Sequence, residues 1–214
     1  MRVLTITVND SGVTVFEQKT PLAAASPFTD VKESDWYFNA VNYVYGNSLM
    51  NGTSDSLFSP NTTLTRAMVV TIIHRLDGSP DVTGLFNEFS DVNENSWYTK
   101  AVSWAVENGI ASGYGDGRFG SEDLITRQDL AVILERYMDY KGIVLPVTDQ
   151  WIIFADEASI AGYAMGAIQT FNKLGVISGT GTNDNGQTIV HPKGNATRAQ
   201  AAVMLMRFIE AINQ

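Results

Sequence analysis

Three arginines stand directly after a threonine in closely similar settings: Leu64-Thr65-Arg66-Ala67, Ile125-Thr126-Arg127-Gln128 and Ala196-Thr197-Arg198-Ala199. Each threonine precedes a stretch of helically spaced apolar residues, where its hydroxyl can accept a hydrogen bond from a first-turn N–H group. Thr197 with Gln200 spells a capping box, Thr126 with Asp129 a version with a shorter acid, and Thr65 with Met68 keeps only the cap. Capping accounts for the threonines and leaves the arginines unexplained. A cation in the first turn opposes the helix dipole, at a cost of about 0.3–1 kcal/mol. Two accounts stay open at this point. One is a local anion site in which the guanidinium, free helix N–H groups and the dipole face a single negative group. The other is a structural pairing of each arginine with a nearby acid such as Asp30 or Asp91.

The rest of the composition is chemically quiet. The 214 residues carry 14 Lys and Arg against 23 Asp and Glu, a formal charge of −9. That balance argues against a nucleic-acid binder, which needs a basic face to offset phosphate. The absence of cysteine excludes thiol catalysis, disulfides and Cys-ligated zinc, and His74 and His191 are the only histidines. No cofactor or metal is called for, and no apolar run approaches the roughly 20 residues of a membrane-spanning helix. The N-terminus shows neither a basic start nor an apolar core of a signal peptide, and it reads as a cut from a longer chain.

The arginine blocks belong to a larger internal repeat. Phe28-Thr29-Asp30-Val31 returns as Phe89-Ser90-Asp91-Val92 and as Phe154-Ala155-Asp156-Glu157. Trp36-Tyr37 with Ala40-Val41 matches Trp97-Tyr98 with Ala101-Val102, and more loosely Tyr163 with Ala167-Ile168. Met50-Asn51-Gly52 matches Ala111-Ser112-Gly113 and Ile177-Ser178-Gly179. From Phe to Thr the separation is 37 residues in the first two copies (28 to 65, 89 to 126) and 43 in the third (154 to 197). One extra residue before Tyr163 and five within 179–190 account for the difference. Four blocks in constant order over three copies define repeats at 28–88, 89–153 and 154–214.

Each copy predicts two helices. The first starts near Ser34 or Ser96 as N-cap and ends at Gly46-Asn47 or Asn108-Gly109. A Gly-rich loop follows, and the second helix starts at the repeated threonine. These second helices are apolar over wide arcs, so they contact more than their own partner. A repeat of this size cannot bury its apolar face alone, whereas three can do so together. Ahead of them, residues 1–27 read as a β-hairpin turning at Asn9-Asp10-Ser11-Gly12, then a linker, and suit the end of an upstream domain.

These blocks together resemble the S-layer homology repeat, of which three tandem copies are the usual set. The resemblance implies a mainly α fold: three helical-hairpin repeats forming a pseudo-threefold single-chain trimer around a central three-helix bundle, with grooves between them. It also implies a monomeric wall-anchoring module of an exported bacterial protein, extracellular in the cell wall or S-layer. The implied partner is a secondary cell-wall polysaccharide bearing pyruvate ketals on N-acetylmannosamine. The family's ligand-binding arginine maps onto Arg66, Arg127 and Arg198. The acid of its motif does not carry over intact, since Met68, Asp129 and Gln200 stand in its place. Trp36 and Trp97 are candidates to stack on sugar rings, although a Trp opening an amphipathic helix also suits the core. Gly52 and Gly113 would let backbone approach a glycan, or serve turns that need positive φ. Asp55 and Asp116 suit sugar hydroxyls or a solvated turn. The third copy is the least ligand-like, which ranks Arg198 last among the arginines.

Two other classes of function remain in view. One is a glycan-active enzyme fragment using Asp30, Asp91 and Asp156 as acid and base, although their recurrence suits a structural turn better. The other is a scaffold for a protein partner. The Asn183-Asp184-Asn185-Gly186 stretch resembles a calcium loop, but an EF-hand register would put Pro192 at the bidentate position. The Gly113–Gly117 stretch lacks the lysine of a phosphate loop.

Overall fold

The Asp of each Phe-x-Asp block explains why the loops take their shape. Asp30 accepts hydrogen bonds from the N–H groups of Phe58 and Ser59, both at 2.8 Å. Asp91 does the same for Phe119, Gly120 and Ser121, and Asp156 for Val190 and His191. The clamped residue is in each case fully buried, and in the first two copies it packs on the Phe that opens its own repeat. A carboxylate accepting several backbone N–H groups fixes a loop that no regular ladder supports.

These are features of a computed structural model that describes residues 5–8, 14–17, 26–146 and 151–213. The described residues are mainly helical. Strands β1 (Thr5–Val8) and β2 (Thr14–Glu17) pair antiparallel, with Thr5 opposite Glu17, as expected of an N-terminal hairpin. Its turn and most of the predicted linker lie outside the described residues. The repeats supply α1 (Phe38–Gly46) and α2 (Arg66–Leu76), α3 (Thr99–Glu107) and α4 (Arg127–Lys141), then α5 (Met165–Lys173) and α6 (Arg198–Ile212). The insertion of the third copy forms a small hairpin, β3 (Gly181–Thr182) with β4 (Thr188–Ile189), turned by the Asn183 side chain.

Two expectations about the helices are corrected. Ser34 and Ser96 do not cap: α1 and α3 start four and three residues later, after Tyr37 and Tyr98, neither with a side-chain cap. The intervening residues form turns, with Asp35 N–H donating to Lys32 O and Ser96 N–H to Asn93 O. Trp36 and Trp97 therefore ride on turns and are not held on a buried helix face. The helical hairpins also take a different form. The closest helix pairs lie between repeats, α1 on α6, α3 on α2 and α5 on α4.

The exchange is organised by the residues before each arginine. Thr65 pairs with Leu124, Thr126 with Asn195 and Thr197 with Thr63. Ile125 N–H donates to Leu64 O, Ala196 N–H to Ile125 O and Leu64 N–H to Ala196 O, so the three hydrogen bonds close a ring. The apolar residues of this ring, Leu64, Ile125 and Ala196, are all buried. Tyr137 joins α4 to α6 through Phe208 and to the end of α2 through Asp77, which Lys141 also pairs at 2.8 Å.

Burial pushes the Asp91 carboxyl up, but its three loop N–H donors outweigh that and hold it below the ordinary carboxylate value. A depressed native pKa adds stability above the unfolded-state value of about 3.9 and loses it as pH falls through the native one. Asp91→Asn is therefore expected to cost about 1.5–3 kcal/mol at pH 7, with the gap to the parent closing in acid. Urea unfolding of both proteins from pH 7 down to pH 2 measures this; a gap of constant size would contradict the clamp.

Candidate functional site: three grooves between repeats

Each arginine leaves its own repeat. Arg66 Nε donates to Phe119 O of the second copy at 3.1 Å, Arg127 Nε to Val190 O of the third at 2.9 Å, and Arg198 Nε to Phe58 O of the first at 2.7 Å. Arg66 and Arg198 add a second bond, to Ser112 O and Asn51 O. The structural pairing with acids is therefore indirect. Asp30 holds the N–H of Phe58 and Arg198 holds its carbonyl. Asp91 with Arg66 grips Phe119 in the same manner, and Asp156 with Arg127 grips Val190.

One part of the anion-site expectation is overturned. The first-turn N–H groups are not free. Arg66 N–H donates to Asp123 O and Ala67 N–H to Ser121 O, while Thr65 Oγ1 accepts from Met68 N–H. Arg127 and Arg198, with Gln128 and Ala199, repeat the pattern. All three threonines cap as expected, and Thr197 with Gln200 forms the full capping box. The helix N-termini are spent on joining repeats.

What remains of each guanidinium lines a groove. Arg198 shares a groove of ≈ 390 Å³ with Trp97, Gly52 and Arg75. Arg127 shares one of ≈ 340 Å³ with Trp36, Gly179 and Arg207. Arg66 shares one of ≈ 150 Å³ with Tyr163, Gly113 and Arg136. Every groove thus takes its aromatic residue from one repeat, its glycine and distal arginine from a second, and its proximal arginine from the third. Trp36, Trp97 and Tyr163 are 67%, 60% and 63% exposed, so the core reading of the tryptophans is set aside. Tyr163, a loose match by sequence, sits two residues before α5 just as the tryptophans precede α1 and α3. Arg198, ranked last by copy, lies in the most spacious of the three grooves.

Arg127 and Arg198 are buried, and burial lowers the pKa of both, that of Arg127 to about 10. Both stay cationic at neutral pH. Neither Nη nitrogen of Arg127 has a hydrogen-bond partner among the described residues, so both can serve a ligand in the groove. The glycines work locally. A Cβ on Gly52 would lie 2.3 Å from Ser54 O and 2.5 Å from the Phe28 ring; one on Gly113 would lie 2.4 Å from the Phe89 ring. Neither has positive φ, so close packing against the repeat's own Phe, and not turn strain, demands glycine. Asp55 and Asp116 line none of the three grooves; Asp116 is exposed and pairs with Arg118 at 2.9 Å.

Arg75, Arg136 and Arg207 are the site residues that sequence reading missed. Each follows its Thr-Arg arginine by nine residues, and that recurrence was the available signal. Arg75 donates to Leu49 O and Arg207 to Ser178 Oγ. Each groove so holds two cations. Among the described residues no group of His, Asp or Glu could hold a metal ion, and no helix is long and apolar enough to cross a membrane.

Two stability measurements follow from this geometry. Arg127→Ala leaves Val190 O unpaired and is expected to cost about 1–3 kcal/mol. Gly113→Ala overpacks Phe89 and is expected to cost about as much. Denaturant melts followed by circular dichroism check both, and changes below about 0.5 kcal/mol would contradict these contacts.

Residues 27–67, 88–131 and 153–202, more than half of the chain, match the family model of the S-layer homology domain. The chain is 32% identical to the amylopullulanase of Thermoanaerobacterium thermosulfurigenes over 211 residues, 96% of this chain and 10% of that protein. It is 28% identical to the surface-layer 125 kDa protein of Lysinibacillus sphaericus over 197 residues, 90% of this chain and 16% of that protein. With the cellulosome-anchoring protein of Acetivibrio thermocellus it shares 29% over 129 residues, 57% of this chain and 29% of that protein. The chain therefore spans under a third of the length of each of these relatives.

Proposed function

Because the chain belongs to the S-layer homology domain family, we propose that the arginine-bearing grooves between its repeats bind an anionic polysaccharide and so anchor a bacterial surface protein to the cell wall. In this reading the repeats act as a monomeric, pseudo-threefold single-chain trimer with the second helices at its centre. The ligand is a secondary cell-wall polysaccharide carrying pyruvate ketals on N-acetylmannosamine, and the module works outside the cell, in the wall or S-layer.

The observation that carries the proposal is the recurrence of one aromatic residue and two arginines around each groove. A ketal carboxylate offers two oxygens to a guanidinium fork. The exposed indole beside it offers a flat apolar face to the sugar ring. The names of two relatives, a surface-layer protein and a cellulosome-anchoring protein, agree with an anchoring role. The proposal is for a binding module and not for an enzyme. The carboxylates that recur, Asp30, Asp91 and Asp156, are engaged by loop N–H groups.

The protein is expected to co-sediment with peptidoglycan that bears the polymer and not with walls from which the polymer has been stripped. Equal binding to stripped walls would sink the proposal. The double variant Trp36→Ala, Trp97→Ala is expected to weaken sedimentation by about 0.5–1.5 kcal/mol per ring. Its melting temperature should stay at the parent's value, because both rings are exposed.

A further inference from the structure

The chain contains three Asn-Gly steps, at Asn51-Gly52, Asn108-Gly109 and Asn185-Gly186. Such a step can modify itself, because asparagine is chemically labile and glycine leaves the following nitrogen unshielded. That nitrogen must lose its proton and attack the side-chain amide carbon of the preceding residue. Two of the three steps are held against this. At the end of α3, Asn108 Nδ2 donates to Trp104 O at 2.8 Å and Gly109 N–H to Val106 O at 3.1 Å. In the turn between β3 and β4, Gly186 N–H donates to Asn183 O at 2.9 Å. At Asn51-Gly52 neither the Asn51 side chain nor the Gly52 N–H has a hydrogen-bond partner among the described residues, and Asn51 is exposed.

The surroundings of Asn51 also favour the reaction. It lines the groove that holds Arg198 and Arg75. Arg198 Nη2 donates to Asn51 O, the carbonyl of the same peptide unit whose nitrogen belongs to Gly52. When that nitrogen loses its proton, resonance moves the negative charge onto the oxygen, where a guanidinium stabilises it. Arg75, whose Nη1 holds Leu49 O at 3.2 Å, brings a second cation to the groove. Arg66 Nη2 grips Ser112 O in the same manner at 2.8 Å. The matching steps of the other copies, however, are Ser112-Gly113 and Ser178-Gly179, which offer no amide to attack. Among the described residues, only the first copy joins an amide, a free N–H and a guanidinium-bound carbonyl at one step.

We propose that Asn51 is a site of self-modification, at which the Asn51-Gly52 step converts to isoaspartate and places a carboxylate on Arg198. Gly52 N bonds to Asn51 Cγ, the Cγ–Nδ2 bond breaks, and ammonia leaves with the proton from the glycine nitrogen. The product is a succinimide. Water then adds to one of its carbonyl carbons and breaks the bond from that carbon to nitrogen. The net change is one water taken up and one ammonia released. Opening at the main-chain carbonyl of Asn51 turns the oxygen that Arg198 holds into half of a free carboxylate, with the chain rerouted through Cβ and Cγ. Arg198 then meets a charged partner that accepts two bonds, in place of a neutral carbonyl. Its fork is filled from within the protein, and the groove loses that guanidinium for an external anion. This last consequence rests on the polysaccharide reading above; the modification itself does not.

Incubation of the folded protein in mildly alkaline buffer, with peptide mass mapping and isoaspartate methyltransferase labelling, tests this. Asn51 is expected to convert while Asn108 and Asn185 stay intact; in guanidinium chloride all three should convert at similar rates. An Asn51 that stays intact when the denatured sample has converted would overturn the inference. So would Asn108 and Asn185 keeping pace with Asn51 in the folded protein. The modified protein gains a negative charge and separates by anion exchange. Its Arg198 Nε–H signal in NMR is expected to shift from the parent's position, and an unmoved signal would overturn the pairing with Arg198. Isothermal titration with the methyl glycoside of pyruvylated N-acetylmannosamine should find one site fewer than in the parent. The variant Asn51→Ser, which takes the residue of the other copies, should keep its own site count through the same incubation. A modified protein with an unchanged count would overturn the loss of the groove and leave anchoring standing. A parent that does not bind the glycoside would overturn the pyruvylated-ligand reading and leave the modification site standing.

Discussion

A single peptide unit in each loop, gripped from both sides, supports the architecture. Asp30 takes the N–H of Ser59 and Arg198 takes the carbonyl of Phe58, and the same grip recurs at the peptides Phe119–Gly120 and Val190–His191. The acid and the arginine come from different repeats and oppose each other's charge across the peptide. Neither pays the full cost of a buried ion, because each charge is neutralised by strong, oriented dipoles. The link between Arg198 and Phe58 spans most of the chain, so the last repeat must return to the first before the ring of Leu64, Ile125 and Ala196 can close. Closing so long a loop adds entropy cost only logarithmically, and the ring and exchanged helices bury enough apolar surface to offset it.

The same exchange makes the grooves. With first helices packed on second helices of another repeat, no copy owns a complete groove. A lone repeat would contain an exposed aromatic ring, a glycine loop and an arginine that never meet. The position of the arginine in a first helical turn, unfavourable by itself, becomes reasonable when Nε and the turn's N–H groups hold the neighbouring loop. The Nη groups are then aimed by bonds the fold already needs, which is preorganisation for an anion without flexible side chains to order.

Charge supports this division of labour. A chain of net charge −9 keeps cations in pairs inside concave sites, where low-dielectric walls focus their field. Two arginines line each of the three grooves, against the negative balance of the whole chain. The three grooves are unequal in volume, at ≈ 390, ≈ 340 and ≈ 150 Å³.

The repeat, the threonine caps, the helical content and the three arginines were all legible in the sequence, because each depends on local spacing or on recurrence. Tyr163 and the second arginines, Arg75, Arg136 and Arg207, were written there too, and recurrence at fixed offsets identifies them once the copies are aligned. Helix pairing across repeats was not legible, since a helix's apolar stripe specifies that it must be covered and not by which copy. The exposure of Trp36 and Trp97 depended on turns bonded at i and i+3 that delay the helix start. The fate of each arginine was likewise undecidable from its own repeat. Its partners lie 46 to 147 residues away, and only tertiary structure brings a loop carbonyl, a foreign aromatic ring and a second cation to the same guanidinium.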